Sequence, residues 1–311
     1  VNGDSASAYL AKCMTYVTAP TPSISNSPSG VYLKWDKNDA AVGYWVYRKT
    51  PQAKYWTRIA CVKTLYYTDA TVKSGTNYLY TVKAYTGKIL SGCNMNGWAL
   101  MHLATPQMTS VANGYGAVTC FWNAVPGAKS YNVYCKADGA TSWSYLGNTT
   151  STFYRDASVK SLSTYTYTVR AVNGSNISSF NYAGKSVKHL TAPTISISNS
   201  TTGVYLQWNR ITGANSYYVY RKAGNAKYWT KIDTVTGNSY LDRNVKAGVA
   251  YTYTIRAYGS KTLSGCNSYG WKTVYLNTPK LVSALSYPNG VTVKWQKVPV
   301  ATWYAVFRKA E

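Results

Sequence analysis

Apolar and polar residues alternate in short runs along most of the chain, which is the period-two pattern of half-buried β-strands. In the run 251–257, odd positions place Tyr, Tyr, Ile and Ala on one face, and even positions place Thr, Thr and Arg on the other. Between residues 193 and 278 the same reasoning predicts further strands at 204–208, 217–222, 228–232 and 239–241, separated by turns rich in Gly and Asn. Short strands with one buried face each predict a seven-stranded sandwich of two sheets.

Four tryptophans mark an internal repeat. They end alternating runs and are 87, 86 and 87 residues apart, at Trp35, Trp122, Trp208 and Trp295. Prolines keep the same period, at Pro20, Pro106, Pro193 and Pro279. The spacing predicts repeats at 20–105, 106–192 and 193–278, with the last strand of a preceding repeat at 1–19 and the first strands of a further repeat at 279–311. We therefore expect both ends to be cut within a repeat of a longer array.

The spacing of residues within a repeat resembles that of the fibronectin type III domain. The landmarks in the third repeat are Trp208, Tyr217-x-Val219-Tyr-Arg221, Tyr240-x-Asp242-x-x-Val245 and Gly248-x-x-Tyr251-x-Tyr-x-Ile-x-Ala257. They are most similar to the Tyr- and Lys-rich version found in surface proteins of Gram-positive gut bacteria. The resemblance implies an extended all-β array of tandem immunoglobulin-like sandwiches, with the four repeating tryptophans in the cores. It also implies a tyrosine corner, with the hydroxyl bonded to upstream backbone, at Tyr78, Tyr165 and Tyr251.

A longer period is also visible. The segment 92–98 recurs 173 residues later as 265–271, and 53–57 recurs as 226–230, whereas the middle repeat lacks both full motifs. Two repeat types therefore alternate. Duplication of a pair of repeats explains this pattern, and a functional unit of two domains is the alternative.

Composition agrees with a β-protein and adds a strong charge. The chain has 32 Tyr and 11 Trp but only 4 Phe, and its 33 Lys and Arg outnumber 9 Asp and Glu to give a net charge of +24. Such a field favours anionic partners. No apolar run reaches the roughly 18 residues of a membrane-spanning helix, so no span is expected in this chain.

The titratable residues do not converge as catalysis or metal binding requires. His102 and His189 occupy equivalent positions in different repeats, where the third repeat has Tyr275, so we interpret them as packing or junction residues. Each repeat has one aspartate ahead of its longest strand, for which we expect a turn-capping role: Asp69, Asp156 and Asp242. We therefore expect no catalytic residues, no metal site and no cofactor in this chain.

Two of the six cysteines fall on strands of opposite sheets in the middle repeat. Cys120 replaces the core leucine of the other repeats, Cys135 replaces their arginine, and alternation points both inward. A cross-sheet disulfide is one interpretation, provided that the Cα atoms lie about 5.5–6 Å apart. Two small buried thiols are the other. Cys93 and Cys266 match each other but have no matching partner, so we expect them to be free.

Pairs of basic residues recur at one strand end and are the candidate anion-binding residues. They are Arg48, Lys49, Lys136, Arg221, Lys222, Arg308 and Lys309. In an end-to-end array they would form a row of cations that attracts an anionic cell-wall polymer, a glycan or an acidic host protein. A merely solubilising surface is the alternative, and no nucleic-acid recognition module is visible.

The other recurring tryptophans are Trp56, Trp143 and Trp229 in the third strand, with Trp98 and Trp271 in the last. Recurrence favours core or inter-domain packing over stacking on sugars. Trp45 and Trp303 do not fit the repeat and are better candidates for surface aromatics.

The sequence thus predicts a non-catalytic extracellular repeat region that serves as a spacer, stalk or adhesive segment of a large surface protein. One alternative is an array that binds a host protein, such as an immunoglobulin or a matrix component. Another is a set of accessory repeats of a secreted polysaccharide-degrading enzyme.

Overall fold

A computed structural model describes residues 16–309 of the chain. Within them the backbone forms β-strands, turns and extended segments and no helix, so the predicted all-β class is confirmed. Most of the strand predicted at 1–19 lies outside the described residues.

Seven strands form the first sandwich, which covers the first predicted repeat. They are β1 (Ser23–Ser27), β2 (Gly30–Lys34), β3 (Gly43–Lys49), β4 (Thr57–Val62), β5 (Tyr66–Asp69), β6 (Thr76–Tyr85) and β7 (Trp98–His102). β1, β2 and β5 make one antiparallel sheet, and the other sheet has the order β4-β3-β6-β7.

The second and third sandwiches repeat this arrangement with one extra two-residue strand each. The second has β8 (Met108–Gly114), β9 (Ala117–Trp122), β10 (Ser130–Ala137), β11 (Ser144–Thr149), β12 (Phe153–Asp156), β13 (Thr164–Asn173), β14 (Asn176–Ile177) and β15 (Lys185–Lys188). The third has β16 (Ile195–Ser200), β17 (Gly203–Trp208), β18 (Ser216–Ala223), β19 (Thr230–Val235), β20 (Ser239–Asp242), β21 (Ala250–Gly259), β22 (Thr262–Leu263) and β23 (Trp271–Val274). A hairpin of β24 (Leu281–Tyr287) and β25 (Gly290–Trp295) follows.

The short strands β14 and β22 pair with one end of the longest strand, and β15 and β23 pair with its other end. The chain between them lies on the outer face of the sheet, where the Thr168 and Thr254 hydroxyls donate to the carbonyl oxygens of Asn181 and Asn267. Each of these five-stranded sheets therefore has a packed inner face and a partly covered outer face.

Alternation along the strands builds one core per sandwich. Trp35, Trp122 and Trp208 are each no more than 3 % exposed, as expected from the repeat, whereas Trp295 on the final hairpin is only partly buried. The three tyrosine corners also form, because each hydroxyl accepts a hydrogen bond of 2.9–3.0 Å from a backbone N–H five residues upstream. The cores are therefore closed by the residues that the repeat landmarks indicated.

Candidate functional site

One aspartate in each sandwich is buried at the end of the fifth strand. One oxygen of Asp69 accepts hydrogen bonds from the backbone N–H and hydroxyl of Thr71, and the other accepts from the hydroxyl of Tyr80 at 2.9 Å. Equivalent bonds join Asp156 to Ser158 and Tyr167, and Asp242 to Asn244 and Tyr253. These aspartates cap the turn as predicted, and they also fix the long strand through its buried tyrosine.

Arg48 and Arg221 belong to this buried cluster. Their guanidinium groups lie 2.6 and 2.7 Å from the carboxylates of Asp69 and Asp242. Burial alone would raise the pKa of Asp69, but hydrogen bonds from Thr71, Arg48 and Tyr80 bring that pKa below its ordinary value. These two arginines alternate inward with the core residues and neutralise a buried charge. Their binding of an external anion stays a prediction.

The middle sandwich lacks this arginine, because Cys135 occupies its position. Asp156 consequently has no Lys or Arg partner among residues 16–309. Cys135 and Cys120 are buried free thiols, the second of the two alternatives for this pair. The Cys120 thiol lies 3.6 Å from the carbonyl oxygen of Tyr154. Burial raises the pKa of Cys120 to about 12 and that of Cys135 to about 11, so both thiols stay protonated at neutral pH.

The recurring lysines lie on the outer face of the larger sheet of each sandwich, each above a tryptophan. The ammonium nitrogens of Lys49, Lys136 and Lys222 are 5.2, 5.2 and 4.6 Å from the ring centroids of Trp56, Trp143 and Trp229, respectively. These distances are within the range of cation–π attraction. The prediction that these tryptophans pack in a core is therefore wrong, because the rings lie outside the sandwich and remain partly exposed.

The remaining candidate residues are more scattered. Trp45 lies on the outer face beneath Arg58, whose guanidinium carbon is 4.4 Å from the ring. Trp271 packs between repeats, against the third core and 6.0 Å from the ring of Tyr115 in the second sandwich. Exposed residues after β25 include Trp303, Arg308 and Lys309. Anion binding by the lysines and by Arg308 stays a prediction.

A polar bridge joins the first sandwich to the second. The side-chain amide of Asn26, on β1, donates to the carbonyl oxygen of Ile177 at 3.1 Å, and Ile177 belongs to the next sandwich. The Asn26 carbonyl oxygen accepts from the backbone N–H of Leu103 and lies 2.8 Å from Nδ1 of His102. In return, the backbone N–H of Met101 donates to the side chain of Asn176.

The same bridge recurs at the second junction. Asn113 replaces Asn26, lies 2.8 Å from Nδ1 of His189, and donates to the carbonyl oxygen of Leu263 in the third sandwich at 3.4 Å. The two histidines therefore lie at the junctions, as predicted, and each contacts the asparagine that reaches the next sandwich. Burial lowers the pKa of His102 and His189, opposed by the negative charge of Asp69 or Asp156.

Apolar contacts reinforce both junctions. Leu103 and Leu190, in the linkers, are almost fully buried in the core of the sandwich that follows each linker. At the first junction Gly75 and Gly127 approach so closely that a Cβ on Gly127 would overlap the Gly75 backbone. A linker side chain buried in the next core and a backbone-to-backbone contact both restrict rotation between neighbouring repeats.

No group of three or more His, Cys, Asp or Glu among residues 16–309 is placed to hold a metal ion. None of the described residues forms a helix of the length and hydropathy needed to cross a membrane.

No family model matches the chain. It is 28% identical over 247 residues to Exoglucanase B of Cellulomonas fimi, an alignment that covers 69% of this chain and 21% of that protein. It is 36% identical over 58 residues to a poly(3-hydroxybutyrate) depolymerase of Ralstonia pickettii, covering 19% of this chain and 11% of that protein. The chain thus spans about a fifth or less of these curated relatives.

Solved structures that resemble the chain include tandem fibronectin type III domains. The FN1–FN3 domains of chicken CNTN1 are 16% identical, with 84% of this chain and 99% of theirs covered and a TM-score of 0.26. A two-domain fibronectin type III segment of chicken tenascin is 17% identical, with 55% and 99% covered and a TM-score of 0.30. The strand order and the closed cores described above carry the assignment of the fold.

Proposed function

We propose that the chain is a stiff, non-catalytic spacer in a large extracellular bacterial protein. The repeats proposed at 20–105, 106–192 and 193–278 would hold the parts of the protein that flank them at a defined separation. The observation that carries this proposal is the asparagine bridge, because Asn26 and Asn113 each join a histidine of their own sandwich to a carbonyl oxygen of the next one.

Stiffness does not follow from tandem sandwiches alone. Domains joined by short linkers generally move relative to each other unless their interface is large or specific. Here each junction combines a bridging asparagine, a linker leucine inside the next core, and a tight backbone contact, which Gly75 and Gly127 make at the first junction and Gly114 and Gly265 at the second. These contacts act between sequence neighbours, so length would grow with the number of repeats.

The second candidate function is a set of accessory repeats in a secreted polysaccharide-degrading enzyme. The match to Exoglucanase B over 69% of this chain favours it. In that setting the same stiff spacer would separate a catalytic domain from a further module. The cell-surface stalk and the host-protein-binding array stay predictions, as does attraction of an anionic polymer or glycan to the outer lysines.

Small-angle X-ray scattering of the chain tests the spacer. We expect a rod-like profile for the wild type and a more flexible profile for the double variant Asn26→Ala and Asn113→Ala. Asn148→Ala changes an exposed residue of β11 whose side-chain hydrogen bonds go to Ser130 and Asn132 of the same sandwich, so it is the matched control and should leave the profile unchanged. A compact wild type, or a wild type already as flexible as the double variant, would contradict the proposal.

The adjoining coding sequence separates the two settings. A glycoside hydrolase domain in the same reading frame would support the accessory role, whereas a cell-wall anchor without a catalytic domain would support the stalk.

A further inference from the structure

The outer face of the third sandwich contains a small cleft that the spacer function does not use. Its volume is about 130 Å³, and it is lined by Tyr220, Trp229, Thr254, Arg256 and Cys266. The two aromatic residues provide apolar walls, and the half-buried thiol of Cys266 is the smallest side chain between them. A cavity of roughly 150 Å³ with apolar walls can hold a benzene ring, so the volume suits one ring.

In the second sandwich, Phe180 takes the position of Cys266, 86 residues earlier. Its ring centroid lies 4.8 Å from that of Tyr134 and 6.4 Å from that of Trp143, with the Trp143 ring stacked. Tyr134 and Trp143 are the counterparts of Tyr220 and Trp229. The chain therefore fills this cleft with its own aromatic side chain in one repeat and leaves it open in another.

The cationic wall is positioned in the same way with and without the ring. Arg170 donates from Nε to the carbonyl oxygen of Ser178 at 2.6 Å, and its guanidinium carbon lies 4.7 Å from the Phe180 ring centroid. Arg256 makes the equivalent bond to Ser264 at 2.7 Å. The hydrogen bond to Ser264 thus holds the Arg256 guanidinium beside the open cleft, just as the bond to Ser178 holds the Arg170 guanidinium over the Phe180 ring. A guanidinium in that position attracts the face of an aromatic ring.

We propose that the open cleft of the third sandwich binds the aromatic side chain of a Phe or Tyr residue from a partner polypeptide. The first sandwich has the same residue types at four of the five equivalent positions and a lysine in place of the arginine, which predicts a second such site there: Tyr47, Trp56, Thr81, Lys83 and Cys93. The 173-residue period of the array would then be the spacing of ring-binding sites, with a self-filled repeat between them.

Two other ligand classes fit the cleft less well. A sugar ring carries hydroxyl groups that need several polar partners, whereas the Thr254 hydroxyl and the Arg256 Nε of the cleft already donate to the carbonyl oxygens of Asn267 and Ser264. A simple anion would compete for cations that already serve other groups. Lys222 lies over Trp229, and Arg256 is anchored to Ser264. Because Phe180 fills the equivalent cleft of the middle repeat, an aromatic ring is the ligand class that fits best.

Two-dimensional NMR of the whole chain, titrated with N-acetyl-L-phenylalaninamide, tests the proposal. We expect saturable shifts of the Trp229 indole N–H and the Gly270 amide, with a Kd on the order of 1–10 mM because one ring buries little area. N-acetyl-L-leucinamide and methyl glucoside should bind at least tenfold more weakly. Equal binding of the leucine compound would overturn the aromatic preference, and tighter binding of the glucoside would identify a sugar site instead.

Cys266→Phe should fill the cleft and abolish the shifts at Trp229. Ser268→Phe, two residues away in the same exposed segment, adds the same side chain outside the cleft and should leave the shifts intact. The converse variant Phe180→Cys should open a new site, seen as ligand-dependent shifts of the Trp143 indole. Unchanged binding in Cys266→Phe, or no new site in a folded Phe180→Cys variant, would overturn the proposal. The spacer function would stand in either case, because it rests on the junctions.

Discussion

Replacement of Arg221 by alanine measures what the buried ion pair contributes to one sandwich. Arg221 donates to the Asp242 carboxylate at 2.7 Å and to the carbonyl oxygen of Asn244 at 2.8 Å. The side chains are 21% and 1% exposed, so this is neither a surface pair nor a fully buried one. Surface pairs contribute about 0–1 kcal/mol, whereas breaking a buried pair costs about 3–5 kcal/mol. Asp242 would keep its bonds to Tyr253 and Asn244, so we expect a loss of about 2 kcal/mol in the free energy of unfolding.

Hydrogen exchange with mass spectrometry gives this value for one repeat in the intact chain. Peptides from β18 and β21 report the third sandwich, and peptides from β3 and β6 in the first sandwich are the internal reference. Arg210→Ala is the matched control, because Arg210 is exposed and makes no ion pair among the described residues. A change below about 0.5 kcal/mol, or one equal to that of the control, would refute the assignment of a structural role to Arg221.

Three further predictions concern the middle repeat and the junctions. Cys135→Arg combined with Cys120→Leu recreates the pattern of the other repeats, and should stabilise the second sandwich by about 1–2 kcal/mol in the same exchange experiment; a destabilised sandwich would contradict the buried-charge argument. In the wild type at pH 8, iodoacetamide should modify the exposed Cys61 well before Cys120 or Cys135, whose thiols are buried and have a raised pKa, and equal rates would contradict their burial. Because the pKa of His102 and His189 is lowered in the folded chain, these histidines become protonated at a higher pH in the unfolded chain than in the folded chain. Junction stability should therefore be complete above about pH 6.5 and fall as the pH drops below it, as checked by exchange of the linker amides.

Much of the fold could be predicted because one period governs it. In the third repeat the strand predicted at 204–208 begins one residue earlier, at Gly203, and the strand predicted at 239–241 continues to Asp242. The strand predicted at 228–232 begins instead at Thr230, because Trp229 leaves the strand pattern to lie across the outer face of the sheet. The recurrence of a tryptophan in each repeat does not show whether its ring lies in the core or on the surface. For this reason the sequence predicted the wrong location for Trp56, Trp143 and Trp229.

The junctions were harder to predict because their polar residues give no periodic signal. Asn26 and Asn113 are single asparagines in strands of mixed polarity, and only the fold brings them to the histidines 76 residues later. Asn176, in the two-residue strand β14, likewise accepts a hydrogen bond across the junction. By contrast, the inward direction of Arg48 could have been found, because it alternates with Tyr44 and Val46 of the core.

The width of the distance distribution between the first and third sandwiches tests the stiff spacer most directly. Spin labels on exposed positions of β4 and β19, measured by double electron–electron resonance, give this distribution in the intact chain. Two ordered junctions predict a single narrow peak, which Asn26→Ala with Asn113→Ala should broaden. A broad distribution in the wild type, unchanged in the double variant, would contradict the central claim that these junctions make the array stiff.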